Sequence, residues 1–389
     1  MASEPNALVE AGPWSTQYAN PRRTAASPVP ATASGTVLWS ADLGGPSLGI
    51  STSTDGRVLV ATPGALVTFR PGGERVGSAP SHAVCEPTLL TDGRMVVPEH
   101  DRTTARLTIR DQRTGGILAA IPDWAFTPAV SADGLVIFPY RSLSWSSDLL
   151  AFDLDGKLQW STPLTSPDVQ VLPLLLDDWI VIAECRHLKA YDHRGRLGWV
   201  AGRDGFRTTE PEASRQPRSK ESDIDRIALI DGDRIFVSYG AGGYYVFDPG
   251  AETVDRIPSQ LHGRAWALPF VDGRTEVITK VGRGLVGMYG LDGQTVWRHG
   301  TVDDPFDVVA DKDGKVVLSV GITQREWDKR EWSAASRRQM LDLCYVRCLS
   351  PDGEELFTWQ PDVRFRSHLA IGAGGEIYAA ADGKLWAIG

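Results

Sequence analysis

Tight-turn signals recur along this chain at a nearly fixed interval, and that interval restricts the fold more than any other feature. The first signal stands at Asp55-Gly56, Asp92-Gly93, Asp133-Gly134, Asp178-Trp179, Asp231-Gly232, Asp272-Gly273, Asp313-Gly314 and Gly374-Gly375, with steps of 37, 41, 45, 53, 41, 41 and 61 residues. A second turn follows at Leu154-Asp155-Gly156, His193-Arg194-Gly195, Leu291-Asp292-Gly293 and Pro351-Asp352-Gly353, and four residues beyond each Gly stands Trp160, Trp199, Trp297 or Phe357. Short apolar, β-branched runs fill the space between turns. Two hairpins per unit make four short strands, and a period of about 40–50 residues is that of a propeller blade. The spacing predicts an all-β chain folded as an eight-bladed β-propeller of four-stranded antiparallel blades.

The last unit stops at Leu385-Trp386-Ala387-Ile388-Gly389, which matches the third strand of other units (Leu150-Ala151-Phe152-Asp153; Lys189-Ala190-Tyr191-Asp192) and lacks a fourth. Gly35-Thr36-Val37-Leu38-Trp39 carries the missing strand's Gly and ring at the same four-residue offset. The N-terminal strand is therefore expected to complete the last blade, closing the ring and removing open sheet edges. Residues 35–389 form a single propeller on this reading, and residues 1–34, with five prolines, form an extended Pro-rich leader. The recurring rings are expected to dock between blades, where large aromatic groups bury the most area.

A formal charge of −9 sets the field of the molecule against a phosphate backbone, so nucleic acid is not expected as a partner. The longest apolar stretch, residues 169–183, is interrupted by Asp177 and Asp178 and is too short to cross a bilayer as a helix, so no membrane partner is expected. The N-terminal residues reach their first Arg at Arg22 with no basic segment followed by an apolar run, and the expectation is a cytoplasmic protein. Four cysteines (Cys85, Cys185, Cys344 and Cys348) form no CxxC pair and are expected to be buried, reduced and inert.

The blade pattern with its Gly-x3-aromatic ending, preceded by Trp14 and Asn20-Pro21-Arg22-Arg23-Thr24, resembles the pyrroloquinoline-quinone-like β-propeller repeat family. That family includes quinoprotein alcohol dehydrogenases and the outer-membrane assembly propeller of the Bam complex. The resemblance implies the fold over nearly the whole chain and leaves the function open. Quinoprotein dehydrogenases carry an adjacent cysteine pair and a calcium-bound quinone; this chain has no adjacent pair, so no quinone cofactor is expected. The Bam propeller is a lipoprotein, and no lipid-attachment cysteine stands near Met1.

In a propeller the first strand of each blade lines the central channel. Counting seven residues back from the first-turn Gly gives Gly49, Glu86, Thr127, Asp225, Asp307 and His368, with Leu172 for the fourth blade and, by matching prolines, Leu268 for the sixth. Two residues earlier on the same strand face stand Gln170, Trp266 and Arg366, among others. The long segments 98–105, 139–148, 201–222 and 321–341 all fall on the face where first strands begin, here termed the loop face, and bring Trp145 and Trp327 to it. The opposite, or turn, face carries only tight turns.

Two readings follow. In the first, the propeller is an enzyme that binds a small-molecule substrate at the loop-face mouth of the channel and performs non-redox acid–base chemistry: a cyclisation, isomerisation or elimination. Glu86, Asp225, Asp307 and His368 would be its catalytic groups, and Trp266, Arg366, Gln170, Thr127, Trp145 and Trp327 would contact substrate. It needs no cofactor, although Glu86, Asp225 and Asp307 are oxygen donors suited to calcium or magnesium. In the second, the chain is a non-catalytic scaffold whose loop face or blade edges hold a protein partner.

Overall fold

The computed structural model describes residues 8–9, 26–101, 104–122, 128–141, 147–165, 173–184, 186–207, 224–240, 243–258, 265–269, 274–282, 284–301, 305–321, 344–361 and 369–389. They form eight antiparallel sheets arranged in a ring as an eight-bladed propeller, with no helix among the described residues. Blade 1 is typical: Gly49–Thr52 innermost, then Val58–Ala61, Ala65–Phe69 and Arg75–Pro80 outermost, in simple up-and-down order. Blades 2 to 7 follow in chain order. Blade 8 is assembled from both ends of the chain: Leu369–Ile371, Ile377–Ala381 and Lys384–Ile388, with Val37–Asp42 as its outermost strand.

The second strands read as unbroken apolar runs, such as Val58-Leu59-Val60-Ala61 and Val316-Val317-Leu318, because each blade is covered on both faces. Met95 and Val97 of blade 2 pack with Leu59 and Ala61 of blade 1, while Val96 between them packs with Val130 and Phe138 of blade 3. Strand alternation thus divides one strand between two interfaces.

Recurring rings fasten neighbours together. Trp160 of blade 3 lies on Gly195 of blade 4 and donates its indole N–H to His193 O at 2.8 Å; Trp39 of blade 8 lies on Gly73 of blade 1 and donates to Pro71 O at 2.6 Å. Gly35, at the head of the N-terminal strand, receives Phe357 of blade 7 in the same way, so it acts as the turn glycine of a blade whose turn the chain ends have cut. Gly353 sits at φ 82° beneath Trp297, and a Cβ there would lie 2.6 Å from the indole Cγ. Gly353→Ala is therefore expected to lose about 2–4 kcal/mol through backbone strain and overpacking. Urea unfolding measures it, and a loss below about 1 kcal/mol would show that the ring has room to withdraw.

Two parts of the architecture differ from the sequence expectation. Blade 4 has five strands, because Gly205–Arg207 turns back and pairs with Leu197–Gly202. Phe206 of this added strand lies 5.2 Å from Trp199 and 6.2 Å from Phe247 of blade 5, so the ring meets a side chain from an insertion instead of a turn glycine. The segment 98–105 belongs largely to a lengthened hairpin, whose pairing continues to Asp101↔Thr104. The described parts of residues 1–34 lie against first-turn segments: Val9 bridges Leu90, Ser27 N–H reaches Ala310 O at 2.8 Å, and Ala31 N–H donates to the buried Asp311 Oδ2 at 2.7 Å.

Candidate functional site

Register decides which residues form the channel column. In blade 7, Asp307 pairs with Ser319 just past a bulge; in blade 5, Arg226 pairs with Ser238 just past a bulge, so Arg226 is the counterpart of Asp307. Asp225, the expected acid, is the bulged residue itself and is exposed. The slip has a local cause. Blade 5 places one more residue between the turn Gly and the first paired residue, since Leu229↔Ile235 matches Leu89↔Met95 while Gly232 and Gly93 stand three and two residues before Ile235 and Met95. A one-residue slip reverses the side chain. The column therefore gains a cation where the sequence count gave a carboxylate.

Asp307 is buried and its two oxygens accept backbone N–H groups, Val308 at 2.9 Å and Leu369 of blade 8 at 2.8 Å. It ties the innermost strands of two blades. Glu86 is also buried, with its backbone pressed on Gly49 of blade 1, where a Cβ would come within 2.6 Å. Blades 2 and 7, which carry Glu86 and Asp307, are three places apart around the ring. Trp266 pairs with Ile278 in the row that Thr88 and Val96 occupy in blade 2, so the proline match that gave Leu268 is misaligned by four residues. Trp266 is buried against the blade 7 side, and the Arg226 guanidinium sits 4.9 Å from its ring centroid. Thr127, Trp145, Gln170, Trp327, Arg366 and His368 lie outside the described residues. Among the described residues no three His, Cys, Asp or Glu side chains gather closely enough to hold a metal ion.

Two deeply buried ion pairs among the described residues stand apart from the channel column. At the blade 1–2 interface Glu99 pairs with Arg110 at 2.6 Å and accepts the Ser81 hydroxyl at 2.5 Å. At the blade 3–4 interface Glu184 pairs with Lys189 at 2.6 Å and accepts the Thr165 hydroxyl at 2.8 Å. Both clusters use the same recipe: a second-strand glutamate, a third-strand cation and a hydroxyl at the end of the preceding blade. A Glu six residues after Asp-Gly, as in Asp92-Gly93…Glu99, was the available signal.

Cys344 and Cys348 lie in the core and carry no disulfide; burial, with Asp311 second, pushes the Cys348 thiol up to about 12. Cys85 is half-buried and so departs from the expectation of burial, and Cys185 lies outside the described residues. Native labelling is expected to modify Cys85 while sparing Cys344 and Cys348 until denaturant is added, as mass spectrometry of labelled peptides can read.

The outer strands carry a further feature. Three residues past each second-turn Gly stand Val296, Leu356, Leu38, Val76 and Leu118, on blades 6, 7, 8, 1 and 2, each 39–59% exposed. Blades 3, 4 and 5 have Gln159, Gly198 and Thr253 there, and the added strand lies at blade 4.

Residues 28–171 match the family model described as outer membrane protein assembly factor BamB, so the closing strand and blades 1 to 3 carry that pyrroloquinoline-quinone-like repeat. No curated protein matches the chain. Among solved structures the chain is similar to BamB from Moraxella catarrhalis, with TM-score 0.57, 16% identity and coverage of 90% of this chain and 98% of that one. It is equally similar to the computationally designed Ika8 protein, with TM-score 0.58, 13% identity and coverage of 91% and 99%. At such identities the likeness concerns the fold alone.

Proposed function

We propose that this BamB-like propeller is a non-catalytic protein-binding scaffold that holds its partner along the outer strands of blades 6, 7, 8, 1 and 2. The carrying observation is the arc of exposed aliphatic side chains at one strand position over five consecutive blades. Scattered apolar residues are ordinary on a surface, whereas a repeated, contiguous set marks an interaction site. The arc is absent from blades 3, 4 and 5, which carry Gln159, Gly198 and Thr253 at the equivalent position. The partner presents an apolar face or an extended strand to these edges.

The acid–base reading draws less support. Asp307 is engaged in joining blades, Asp225 is turned out on a bulge, and Arg226 takes its place. A similarity to an assembly factor, by name a component that acts with other proteins, agrees with the scaffold.

Site-specific photo-crosslinking in cells tests the proposal. A crosslinker at position 38, 76, 118, 296 or 356 is expected to trap one shared protein, and a crosslinker at position 253 is expected not to. Asp307→Asn and Glu86→Gln should leave that crosslink in place. Equal trapping from position 253, or none from the arc, rejects the scaffold reading.

A further inference from the structure

The loop-face end of blade 4 concentrates positive charge in an acidic protein. The strands His187–Tyr191, Leu197–Gly202 and Gly205–Arg207 set Lys189, Val200 and Arg207 in one row and, two rows on, Gly202 and Gly205 beside His187. Cross-strand partners share a sheet face, so His187, Lys189 and Arg207 lie on one side of the blade. Arg186 sits in the turn just before His187, and Arg203 sits in the turn leading to the added strand. Among the described residues, three cationic side chains, Arg186, Lys189 and Arg207, thus gather around His187 with two carboxylates, Glu184 and Asp204, while Arg203 stands on the blade 5 side of the same edge, in a chain whose net charge is −9.

Those cations are unequally occupied. Lys189 and Glu184 form a buried pair at 2.6 Å, with both side chains under 5% exposed, and Thr165, an exposed residue of the neighbouring blade, bonds to both. Arg207 pairs with Asp204 on the surface, where such a pair is weak and readily exchanged. Arg186 and Arg203 make no ion pair among the described residues; Arg203 is exposed and lies flat on Tyr239, 4.0 Å from the ring centroid, which fixes its position. The His187 ring is fixed against Gly202, where a Cβ would come 2.8 Å from Cδ2. Burial, then Arg207, Lys189 and Arg186, hold its imidazole below the ordinary value against the opposing charge of Glu184. The ring therefore stands where a bound anion would change its surroundings.

We infer that this end of blade 4, with Arg186 and Arg207 beside His187 and Arg203 across the edge of the blade, is a docking site for an acidic segment of a partner protein. Charge complementarity selects the occupant. The guanidinium groups are distributed over two turns and the added strand, which suits successive carboxylates along an extended peptide better than one compact anion. That the bearer is a protein rests on the scaffold reading; that the ligand is anionic does not.

Titration with a hexaglutamate peptide tests the site, with hexalysine and inorganic phosphate as parallel arms and the His187 imidazole followed by NMR. Hexaglutamate is expected to raise the midpoint of His187, and raising salt from about 50 to about 300 mM should weaken binding about tenfold. Arg186→Ala with Arg207→Ala should weaken it at least about tenfold at unchanged melting temperature, and Arg207→Lys should retain part of it. An unmoved His187, an equal response to phosphate at matched charge, or full binding by the double variant overturns the inference. Such a failure with the arc crosslinks intact removes only this site; peptide binding without crosslinks removes the scaffold reading and leaves an anion site.

Discussion

Glu99→Gln is expected to destabilise the propeller by about 3–5 kcal/mol, the cost of leaving a buried charge without its partner. The Glu99 side chain is 1% exposed and its Arg110 partner 4%, so neither can turn to water. Oε1 takes the Arg110 and Ser81 donors, and Oε2 takes Arg106 Nε at 3.2 Å. Ser81 belongs to the end of blade 1, so the substitution also loosens an interface between blades. Glu99→Leu combined with Arg110→Met should recover much of the loss, because it removes both charges together. Urea unfolding of the single and double variants measures this. A single variant within about 1 kcal/mol of the parent would mean that water or a shifted neighbour replaces the carboxylate.

The same pair gives a pH dependence of defined sign. Burial pushes the Glu99 carboxyl up, but the Ser81 hydroxyl, Arg110 and Arg106 outweigh it and hold the group below the ordinary glutamate value of 4.5. A depressed carboxyl contributes stability that is fully present above that value and is lost as pH falls through the lower, folded-state value. Parent stability should fall in that acidic window, and Glu99→Gln should fall less steeply.

Removing residues 1–43 is expected to have the other large effect. It strips Val37–Asp42 from Lys384–Ile388, removes Trp39 from Phe69 and Tyr378, and leaves a long apolar edge on blade 8. Open edges of this kind pair with other chains. The truncated chain should elute as oligomers or aggregate, at a concentration where the parent elutes as a single sharp species. A truncated protein with the parent's elution volume and melting temperature would falsify closure by this strand. Trp39→Ala tests the same closure more gently, with an expected loss of about 3 kcal/mol.

Much of the candidate site was illegible for a physical reason. The column was counted from turn glycines, which is sound while every blade spends the same number of residues between turn and channel. Blade 7 does so, and Asp307 falls where the count placed it; blade 5 carries its turn glycine one position earlier in a hairpin of the same length, so the count overshoots Arg226 and lands on Asp225. Blade 6 was aligned by a proline, whose restraint on backbone φ is local and says nothing about register, and Trp266 moved with it. The Glu99 and Glu184 pairs each lie within one blade, but their burial and their Ser81 and Thr165 partners come from the preceding blade, which only packing brings into place.

Blade number, strand order and the strand that closes the ring are all legible in the amino-acid sequence. Those properties reside in short-range signals: turn residues, two-residue alternation, and an aromatic ring four positions past a glycine, each repeated until chance alignment is excluded. Only the tertiary structure decided which side chains face the channel, which charges are buried in pairs, and that residues 205–207 add a fifth strand to blade 4. These depend on single-residue bulges and on contacts between distant segments. A turn glycine moved by one position shifts the count from one strand face to the other without altering the hydrophobic pattern, and an ion pair within a blade becomes buried only once the neighbouring blade covers it.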